Sequence, residues 1–304
     1  MQQKELHDKI RALAKKRNAI ILAHNYELPE VQDVADLTGD SLGLSVLAGQ
    51  TDSEVIVFCG VHFMAETASI LCPKKKVLLP RREAGCYMAN LVDAKSLRAR
   101  KKELPGVPVV TYVNSTAEVK AESDICCTSA NAVAVVKSLK AKRVLMTPDR
   151  NLALYTARHV KAEILTWDGC CNVHDSLRAE QVLKAKKRHP KALVIAHPEC
   201  RPEIIDLADA VRSTSGMLDF CRDNKADAFI IATENGILHQ LRRQIPTKKF
   251  YQASRSMVCP DMKLTTLMDV YKALNTLKPE VRVTENIRRK AVKAVNRMLA
   301  VPRD

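Results

Sequence analysis

One pattern occurs three times along this chain of 304 residues, and it limits the possible folds more than any other feature. In each copy a short apolar run ends at a polar ring residue, a Ser or Thr follows 17 residues later, and a second apolar run lies 17 residues beyond that. The positions are His24, Ser41 and Phe58 in the first copy, Tyr112, Ser129 and Met146 in the second, and His197, Thr214 and Ile231 in the third. Self-similarity at a fixed interval indicates repeated structural units, so we expect three units with one fold.

Short apolar runs alternate with helical patterns in every repeat, which is typical of βαβ units and a parallel sheet. We therefore predict an α/β fold of three similar small three-layer α/β/α domains with parallel sheets, arranged pseudo-threefold around a central site. The predicted domains are 1–87, 88–172 and 173–259, each about 85 residues long, which is within the range of small domains. Two further helices in 260–304 are expected to pack on the first domain.

Composition excludes several classes of partner. The formal net charge is +15, but the basic residues follow helical periodicity and the aromatic residues, 4% of the chain, do not lie between them. Single-stranded nucleic acid is bound by basic and aromatic side chains together, so we expect no nucleic-acid partner. No apolar run approaches the ~20 residues of a membrane helix, and the first residues lack the apolar core of a secretory signal. We expect no membrane association, a cytoplasmic location and small anionic ligands.

The repeated polar positions mark the expected binding edge. The three ring residues follow first strands, and the three hydroxyl residues stand where second strands meet helices. Ligands of open parallel sheets bind at this carboxyl edge, and helix N-termini attract anions through unpaired N–H groups and the helix dipole. Each hydroxyl residue alone is compatible with a simple N-cap. Three equivalent ones favour a site for a small polyanion.

Each repeat closes on cysteine: Cys86 in the first, Cys170 or Cys171 in the second, and Cys259 in the third. The ten cysteines of the chain form no CxxC pair, so zinc-finger and thioredoxin-like sites do not fit the spacing. If the strand ends of the three repeats meet, three thiolates surround a metal and leave one coordination position open. Thiolates suit both zinc and iron–sulfur clusters. From the residues alone, both metals and both cysteines of the pair stay open.

Seven segments together resemble the quinolinate synthase family over about residues 18–275, far more specifically than any one motif does. They are ILAHNYELPEVQDVADLTGDS, CYMAN, YVNSTAEVKAESDICCTSANA, PDRNLALY, HPEC, RSTSGM and CPDMK. The resemblance implies three α/β domains around one [4Fe–4S] cluster per chain, held by Cys86, Cys171 and Cys259. It implies condensation of iminosuccinate with dihydroxyacetone phosphate to quinolinate, with the cluster acting as a Lewis acid.

The resemblance also implies the site residues. The implied substrate-binding residues are His24, Ser41, Tyr112, Val113, Asn114, Ser129, His197, Pro198, Glu199 and Thr214. The implied acid/base candidates are Glu199, Tyr26, His24, His174 and His197. We expect Glu199 to be the base, with a pKa raised by its position near a cluster and an anionic substrate.

Three alternatives compete with this interpretation. One is another iron–sulfur hydro-lyase acting on a small dicarboxylate, which would not need dihydroxyacetone phosphate. The second is a zinc site at the same cysteines, and the third is a basic nucleic-acid-binding protein. The candidate protein partner is the enzyme that supplies iminosuccinate, an aspartate oxidase or dehydrogenase.

Overall fold

The computed structural model describes residues 3–302, and three four-stranded parallel sheets follow one another along this part of the chain. The strands of the first sheet are β1 Ala19–His24, β2 Leu37–Gly39, β3 Val55–Cys59 and β4 Lys76–Leu78. Those of the second are β5 Val109–Tyr112, β6 Ile125–Cys127, β7 Arg143–Thr147 and β8 Glu163–Thr166. Those of the third are β9 Leu193–Ala196, β10 Ala210–Val211, β11 Ala228–Ala232 and β12 Lys249–Gln252.

The three sheets have the same strand order and the same register. The orders are β2-β1-β3-β4, β6-β5-β7-β8 and β10-β9-β11-β12. The central residue of each first strand lies between equivalent partners: Leu22 between Leu37 and Phe58, Val110 between Ile125 and Met146, and Ile195 between Ala210 and Ile231. The prediction of three similar α/β units with parallel sheets is therefore confirmed. Their pseudo-threefold arrangement around a central site stays a prediction.

Helices connect the strands. They are α1 Gln3–Lys16, α2 Pro29–Val34, α3 Ser41–Gln50, α4 His62–Leu71, α5 Ala94–Glu103, α6 Ala117–Ala121, α7 Ala132–Ser138, α8 Arg150–Ala157, α9 Asn172–Asp175, α10 Ala179–Arg188, α11 Pro202–Ile205, α12 Thr214–Asp223, α13 Ile237–Gln244, α14 Leu267–Thr276 and α15 Glu285–Leu299. Strand β3 is buried along its whole length, as expected for an apolar run covered by helices on both faces. Within residues 3–302, none of these helices combines the length and apolar composition that a membrane crossing requires.

An aspartate fixes the start of the second strand in every repeat. Its carboxylate accepts the backbone N–H of a residue in the first strand, at 2.7 to 2.8 Å, and its own N–H donates to the same residue's carbonyl at 2.8 to 3.1 Å. The pairs are Asp36 with Ile21, Asp124 with Val109, and Asp209 with Val194. These aspartates lie five residues before the repeated hydroxyl residues, so they are a further repeated position of the three units.

The chain divides into two compact units. The first unit contains the chain up to Cys86 together with Cys259–Arg288, and its core includes side chains of α1, the first sheet and α14. The second unit contains Tyr87–Val258, with the second and third sheets, and the chain from Arg289 onwards. The division into domains at 87, 172 and 259 stays a prediction.

The two C-terminal helices differ from the expectation that both pack on the first repeat. Helix α14 does so, with Val270 and Leu274 in the core of the first unit. Helix α15 instead contacts the second repeat from Arg289 onwards: Arg297 donates to the carbonyl oxygen of Asp124 at 2.6 Å, and the Met298 carbonyl accepts from Asn131 at 3.4 Å. An amphipathic pattern shows which helix face is buried but not which surface covers it.

Candidate active site

The ring residues of the repeat lie at the carboxyl ends of the first strands, as the sequence predicts. His24 and Tyr112 end β1 and β5, and His197 directly follows β9; all three are buried. The two histidines form the same turn. His24 Nδ1 accepts the N–H of Tyr26 at 3.1 Å, and His197 Nδ1 accepts the N–H of Glu199 at 3.3 Å. Because Nδ1 is the acceptor, the ring proton of each neutral histidine is on Nε2.

Glu199 is the centre of a buried polar group in the second unit. The Tyr112 hydroxyl donates to Glu199 Oε1 at 2.5 Å, and His174 Nδ1 lies 2.8 Å from Glu199 Oε2. All three side chains are less than a tenth exposed. A buried carboxylate needs donors to offset its lost hydration, and here each oxygen has one. The structure therefore brings Tyr112, His174 and Glu199, three of the residues that the sequence predicts, into direct contact.

His174 is held from four directions. Its Nε2 lies 2.7 Å from the hydroxyl of Thr233, which directly follows β11, and its ring stacks on that of His197 with the centroids 4.6 Å apart. Its Nδ1 is 3.2 Å from the sulfur of Cys171, in addition to the contact with Glu199. Since the Glu199 carboxylate is an acceptor, the proton on Nδ1 is fixed and Nε2 accepts from Thr233 when the ring is neutral. Thr233 was not among the predicted residues, because nothing in its local sequence indicates this contact.

The surrounding side chains alone do not raise the pKa of Glu199, and the expected raising by a cluster and an anionic substrate stays a prediction. Burial opposes its ionisation, but the neighbouring His197 and His174 and the hydrogen bonds from His174 and Tyr112 outweigh burial and lower the pKa of Glu199 to about 2. The sequence identified the carboxylate but could not show which donors face it. Glu199 is therefore ionised near neutral pH, and it accepts two hydrogen bonds.

Tyr112 has the opposite perturbation. Burial and the adjacent Glu199 carboxylate raise the pKa of Tyr112 well above its ordinary value, although a hydrogen bond with the Ser129 side chain acts against them. Tyr112 therefore stays protonated and donates to Glu199. This contact also places Ser129, a predicted substrate-binding residue, beside Tyr112. The next residue, Val113, is buried and donates its N–H to the Cys127 carbonyl at 2.9 Å, which continues the pairing of β5 with β6.

The hydroxyl residues of the repeat are not the helix caps. In α3 the cap is Asp40, whose carboxylate accepts the N–H of Gly43, and in α12 it is Ser213, whose hydroxyl accepts the N–H of Gly216. Ser41 and Thr214 are the first residues of these helices. Ser129 lies three residues before α7. Since the caps are already provided, the hydroxyls of Ser41 and Thr214 are not needed for capping.

Asn114 occupies the position of Tyr26 and Glu199 in the second repeat, two residues after the ring residue. Its Oδ1 is buried and has no hydrogen-bond partner within residues 3–302. Buried polar atoms are nearly always hydrogen-bonded in proteins, so an acceptor of this kind fits contact with a ligand donor. Pro198, between His197 and Glu199, is buried in the equivalent turn of the third repeat.

In the first unit, the turn after β1 carries His24 and Tyr26, whose rings meet edge to face with their centroids 4.6 Å apart. Gln32, on α2, donates to the carbonyl oxygens of Asn25 and Glu27 at 3.0 and 2.8 Å. The ammonium group of Lys263 donates to the carbonyl oxygen of Tyr26. Lys263 belongs to the CPDMK motif that begins at Cys259, so that motif is attached to the turn carrying two predicted site residues.

Burial separates the cysteines into two groups. Six are buried, whereas Cys86, Cys170, Cys171 and Cys259 are partly exposed. Burial raises the pKa of each of the six buried thiols, which disfavours the thiolate that a metal requires. The three predicted ligands are thus among the four cysteines that are suited to bind a metal by exposure.

One hydrogen bond, repeated three times, sets the register of the Cys170–Cys171 pair. In each repeat a backbone N–H shortly after the third strand donates to the carbonyl two residues before a cysteine. The bonds are His62 to Ala84 at 2.9 Å, Arg150 to Gly169 at 2.7 Å, and Asn235 to Met257 at 2.8 Å. Two residues beyond these carbonyls stand Cys86, Cys171 and Cys259. Cys171, not Cys170, is therefore the structural equivalent of the other two cysteines.

Ligand atoms also meet within the second unit. The Cys171 sulfur, a ring nitrogen of His174 and a carboxylate oxygen of Glu199 lie within 4.8 Å of one another. Such a group of sulfur, nitrogen and oxygen donors could hold a metal ion. The unit therefore contains a possible metal site at the end of the second repeat.

One residue with a central position was missed by sequence reasoning. Asp149 is buried, and its carboxylate accepts the N–H of Leu152 at 2.6 Å and that of Cys171 at 3.0 Å. Burial and the nearby Glu199 raise the pKa of Asp149 well above its ordinary value, against the effect of these hydrogen bonds. The available signal was the PDRNLALY motif, which carried the resemblance but received no role.

Comparison with known proteins identifies the family of the chain. Residues 8–300 match the family described as quinolinate synthetase A protein. A quinolinate synthase of Pelobacter propionicus is 58% identical over 300 residues, covering 98% of this chain and 99% of its own length. Those of Geobacter sp. (strain M21) and Methanosarcina barkeri are 56% and 52% identical, covering 100% and 99% of both chains. The chain therefore belongs to the quinolinate synthase family of enzymes.

Proposed function

We propose that this enzyme condenses iminosuccinate with dihydroxyacetone phosphate to give quinolinate, inorganic phosphate and water. Atom balance requires the loss of one phosphate and two waters, with no net redox change. The observation that carries the proposal is the buried group of Tyr112, His174 and Glu199 beside Cys171, in a chain that matches the family over residues 8–300. Such a dehydrating condensation requires protons to be moved at several atoms. In this group Tyr112 and His174 each donate a proton in a hydrogen bond to the ionised carboxylate of Glu199.

The proposal includes one [4Fe–4S] cluster per chain, held by Cys86, Cys171 and Cys259. These cysteines fit the role because they are partly exposed and stand at equivalent positions of the three repeats. When bound, a cluster with three cysteine ligands supplies a Lewis-acidic iron that can bind a substrate oxygen and help hydroxide to leave.

A mixed site formed by Cys171, His174 and Glu199 is the competing use of the same atoms. A metal ion in this site would have to bind His174 Nδ1 and Glu199 Oε2. These two atoms lie 2.8 Å apart, and a proton on Nδ1 now joins them in a hydrogen bond. A metal there would displace that proton and break the contact. We therefore place Cys171 in the cluster and keep His174 and Glu199 for proton transfer.

Proton transfer follows from the direction of these hydrogen bonds. Because the pKa of Glu199 is low, a proton taken up by its carboxylate does not remain there and passes to another group. Nδ1 of His174 already carries the proton that it donates to Glu199, so the proton taken up by Glu199 passes on to a substrate oxygen instead. Glu199 is thus a base that relays protons, with Tyr112 as the group that steadies its charge. Tyr26, His24 and His197 are further candidates for protonating substrate oxygens.

The hydroxyl residues bind the anionic groups of the substrates in this proposal. Thr214 and Ser41 open helices of ten residues, where N–H groups and the helix dipole favour negative charge. Helix α12 is capped by the neutral Ser213 and α3 by the charged Asp40, so an anion is favoured more strongly at Thr214 than at Ser41. The buried Oδ1 of Asn114 accepts an O–H or N–H of the substrate.

Anaerobic assay tests the function directly. The protein is reconstituted with iron and sulfide, supplied with freshly generated iminosuccinate and dihydroxyacetone phosphate, and analysed for quinolinate and phosphate. We expect equal amounts of both products, and none when either substrate is omitted. A dicarboxylate hydro-lyase would turn over without dihydroxyacetone phosphate. A zinc protein would be colourless after anaerobic purification, whereas an iron–sulfur protein is brown.

A further inference from the structure

The PDRN sequence at 148–151 has no part in the chemistry described so far. The segment directly follows β7 and contains the first residues of α8. Asp149 and Asn151 are 2% and 3% exposed. Two polar side chains that are almost fully buried therefore lie next to each other at the carboxyl edge of the second sheet. Each must be hydrogen-bonded there, and the identity of their partners indicates what the segment does.

Asp149 connects a helix to the predicted ligand cysteine. Its Oδ1 accepts the N–H of Leu152 at 2.6 Å and caps α8, while its Oδ2 accepts the N–H of Cys171 at 3.0 Å. The first repeat has Val61 at this position, which has no side-chain acceptor. In the third repeat the position is Glu234, whose carboxylate accepts the N–H of Gly236 at 2.6 Å. A side-chain hydrogen bond from this position to the N–H of the repeat's cysteine is therefore made by Asp149 in the second repeat, and Val61 in the first repeat cannot make it.

Asn151 connects the same helix to Glu199. Its Nδ2 donates to the carbonyl oxygen of Glu199 at 3.1 Å and to Asp175 Oδ1 at 3.0 Å. The bond to the carbonyl fixes the main chain from which the Glu199 carboxylate projects. Two residues on one helical turn therefore hold two groups that are far apart in sequence.

The backbone of the segment is also in close contact with the cysteine loop. Arg150 donates its N–H to the Gly169 carbonyl at 2.7 Å. A Cβ atom at Gly169 would lie 2.5 Å from the carbonyl oxygen of Pro148, so only glycine fits between the segment and the loop. The segment and the cysteine loop are therefore packed backbone to backbone.

We infer that residues 148–151 form a positioning clamp, in which Asp149 holds Cys171 for iron and Asn151 holds Glu199 for proton transfer. The inference rests on the proposed function, since the roles of Cys171 and Glu199 belong to it. Groups that orient metal ligands typically change metal affinity or activity 10- to 100-fold when they are removed. Asp149 and Asn151 touch neither reacting atom in this account, so both are positioning residues.

The Asp149 arm is tested by the substitution Asp149→Asn. The amide oxygen still caps α8, but the amide nitrogen presents a donor to the Cys171 N–H. We expect the reconstituted protein to lose iron to a chelator about 10 to 100 times faster than wild type. The matched control is Asp93→Asn, which removes the charge from the cap of α5, where Asp93 accepts the Ser96 N–H at 2.8 Å. It should release iron at the wild-type rate. Wild-type iron release from folded Asp149→Asn protein would overturn the inference.

A second pair of variants decides the matter if Asp149→Asn does not fold. Gly169→Ala leaves Asp149 intact and forces the segment away from the cysteine loop. Gly85→Ala adds the same methyl beside Cys86, where the nearest atom is the Glu83 carbonyl oxygen at 3.8 Å. We expect faster iron release from Gly169→Ala only. Equal iron release from both alanine variants would contradict the clamp.

The role of Asn151 in holding Glu199 is tested by steady-state kinetics together with iron release. Asn151→Leu removes the donor to the Glu199 carbonyl with little change in size, so we expect kcat to fall about tenfold while KM and the rate of iron release stay at wild-type values. An unchanged kcat would refute this arm. Failure of the proposed function is distinguishable, because the wild-type protein would then hold no iron after reconstitution or form no quinolinate. Failure of the clamp alone leaves wild-type iron and activity intact.

Discussion

The turns after β1 and β9 have the same backbone and different chemistry. In both, a histidine Nδ1 accepts the N–H two residues later, and the histidine carbonyl accepts the N–H three residues later, at 3.0 Å from Glu27 and 2.9 Å from Cys200. The residue two positions after the histidine differs: it is Tyr26 in the first repeat and Glu199 in the third. The repeated fold thus supplies one turn geometry, and the side chains that the turn carries determine what each copy can do.

The two side chains also have different surroundings. The Tyr26 ring packs edge to face on His24 of its own turn. The Glu199 carboxylate instead contacts Tyr112 and His174, which come from other elements of the second unit. We therefore expect changes at the Glu199 turn to have the larger effects on catalysis, and the following predictions test that difference.

The largest effect is expected from Glu199→Gln. The amide cannot take up a proton from substrate, and it places an N–H or removes an acceptor where Tyr112 or His174 donates. General acid–base catalysis contributes about 10²- to 10⁴-fold, so kcat should fall by that factor with iron content unchanged. Glu203→Gln is the control: this carboxylate on α11 has a side chain that is 42% exposed and pairs with Arg201, so kcat should stay at the wild-type value. A Glu199→Gln enzyme with the wild-type rate would rule out the role of Glu199.

Tyr26→Phe should be less severe. It removes a hydroxyl that can protonate a substrate oxygen but keeps the ring contact with His24, so the turn is preserved. We expect kcat to fall about 10²-fold, at the lower end of acid–base effects. Tyr87→Phe, at a tyrosine that is 52% exposed, should leave kcat unchanged. If Tyr26→Phe lowered kcat more than Glu199→Gln, the first turn and not the third would be the main site of proton transfer.

Thr233→Val tests the support of His174. The change removes the hydroxyl 2.7 Å from His174 Nε2 at nearly constant volume. One hydrogen bond contributes about 1 kcal/mol, so we expect kcat to fall about fivefold to tenfold. Thr233→Ser keeps the hydroxyl and should restore most of the rate. Equal rates for the valine and serine variants would show that this hydrogen bond does not matter for catalysis.

The smallest effect is expected at the support of the first turn by α2, and it concerns stability. Gln32→Leu leaves the carbonyl oxygens of Asn25 and Glu27 without the donor that now lies 3.0 and 2.8 Å away. Loss of a buried partner costs about 1–3 kcal/mol, so the free energy of unfolding should fall by that amount in urea denaturation. Gln50→Leu, at the exposed last residue of α3, should change it by less than about 0.5 kcal/mol. A Gln32→Leu protein as stable as wild type would show that the turn after β1 does not depend on the hydrogen bonds from Gln32.

The sequence predicted those parts of the structure that the repeat determines. Strand ends such as His24 and His197 could be located because the same intervals occur three times. The resemblance indicated Cys171 within its pair, and the structure supports that register through the Arg150–Gly169 hydrogen bond.

What could not be predicted depends on contacts between residues that are distant in sequence. Thr233 meets His174 from 59 positions away, and Asp149 meets Cys171 from 22. The low pKa of Glu199 has the same origin, because its two donors, His174 and Tyr112, come from other elements of the fold. The position of α15 also depended on a surface that its own amphipathic pattern does not identify.

The most direct test of the account compares iron in two variants of the adjacent cysteines. Cys170→Ser and Cys171→Ser are purified and reconstituted anaerobically beside the wild type, and iron and sulfide per chain are measured with the visible absorption spectrum. Cys171 is the structural equivalent of Cys86 and Cys259, so we predict that Cys171→Ser loses the cluster while Cys170→Ser keeps a wild-type content of iron. A cluster retained in Cys171→Ser and lost in Cys170→Ser would contradict the equivalence of the three repeats on which the account depends.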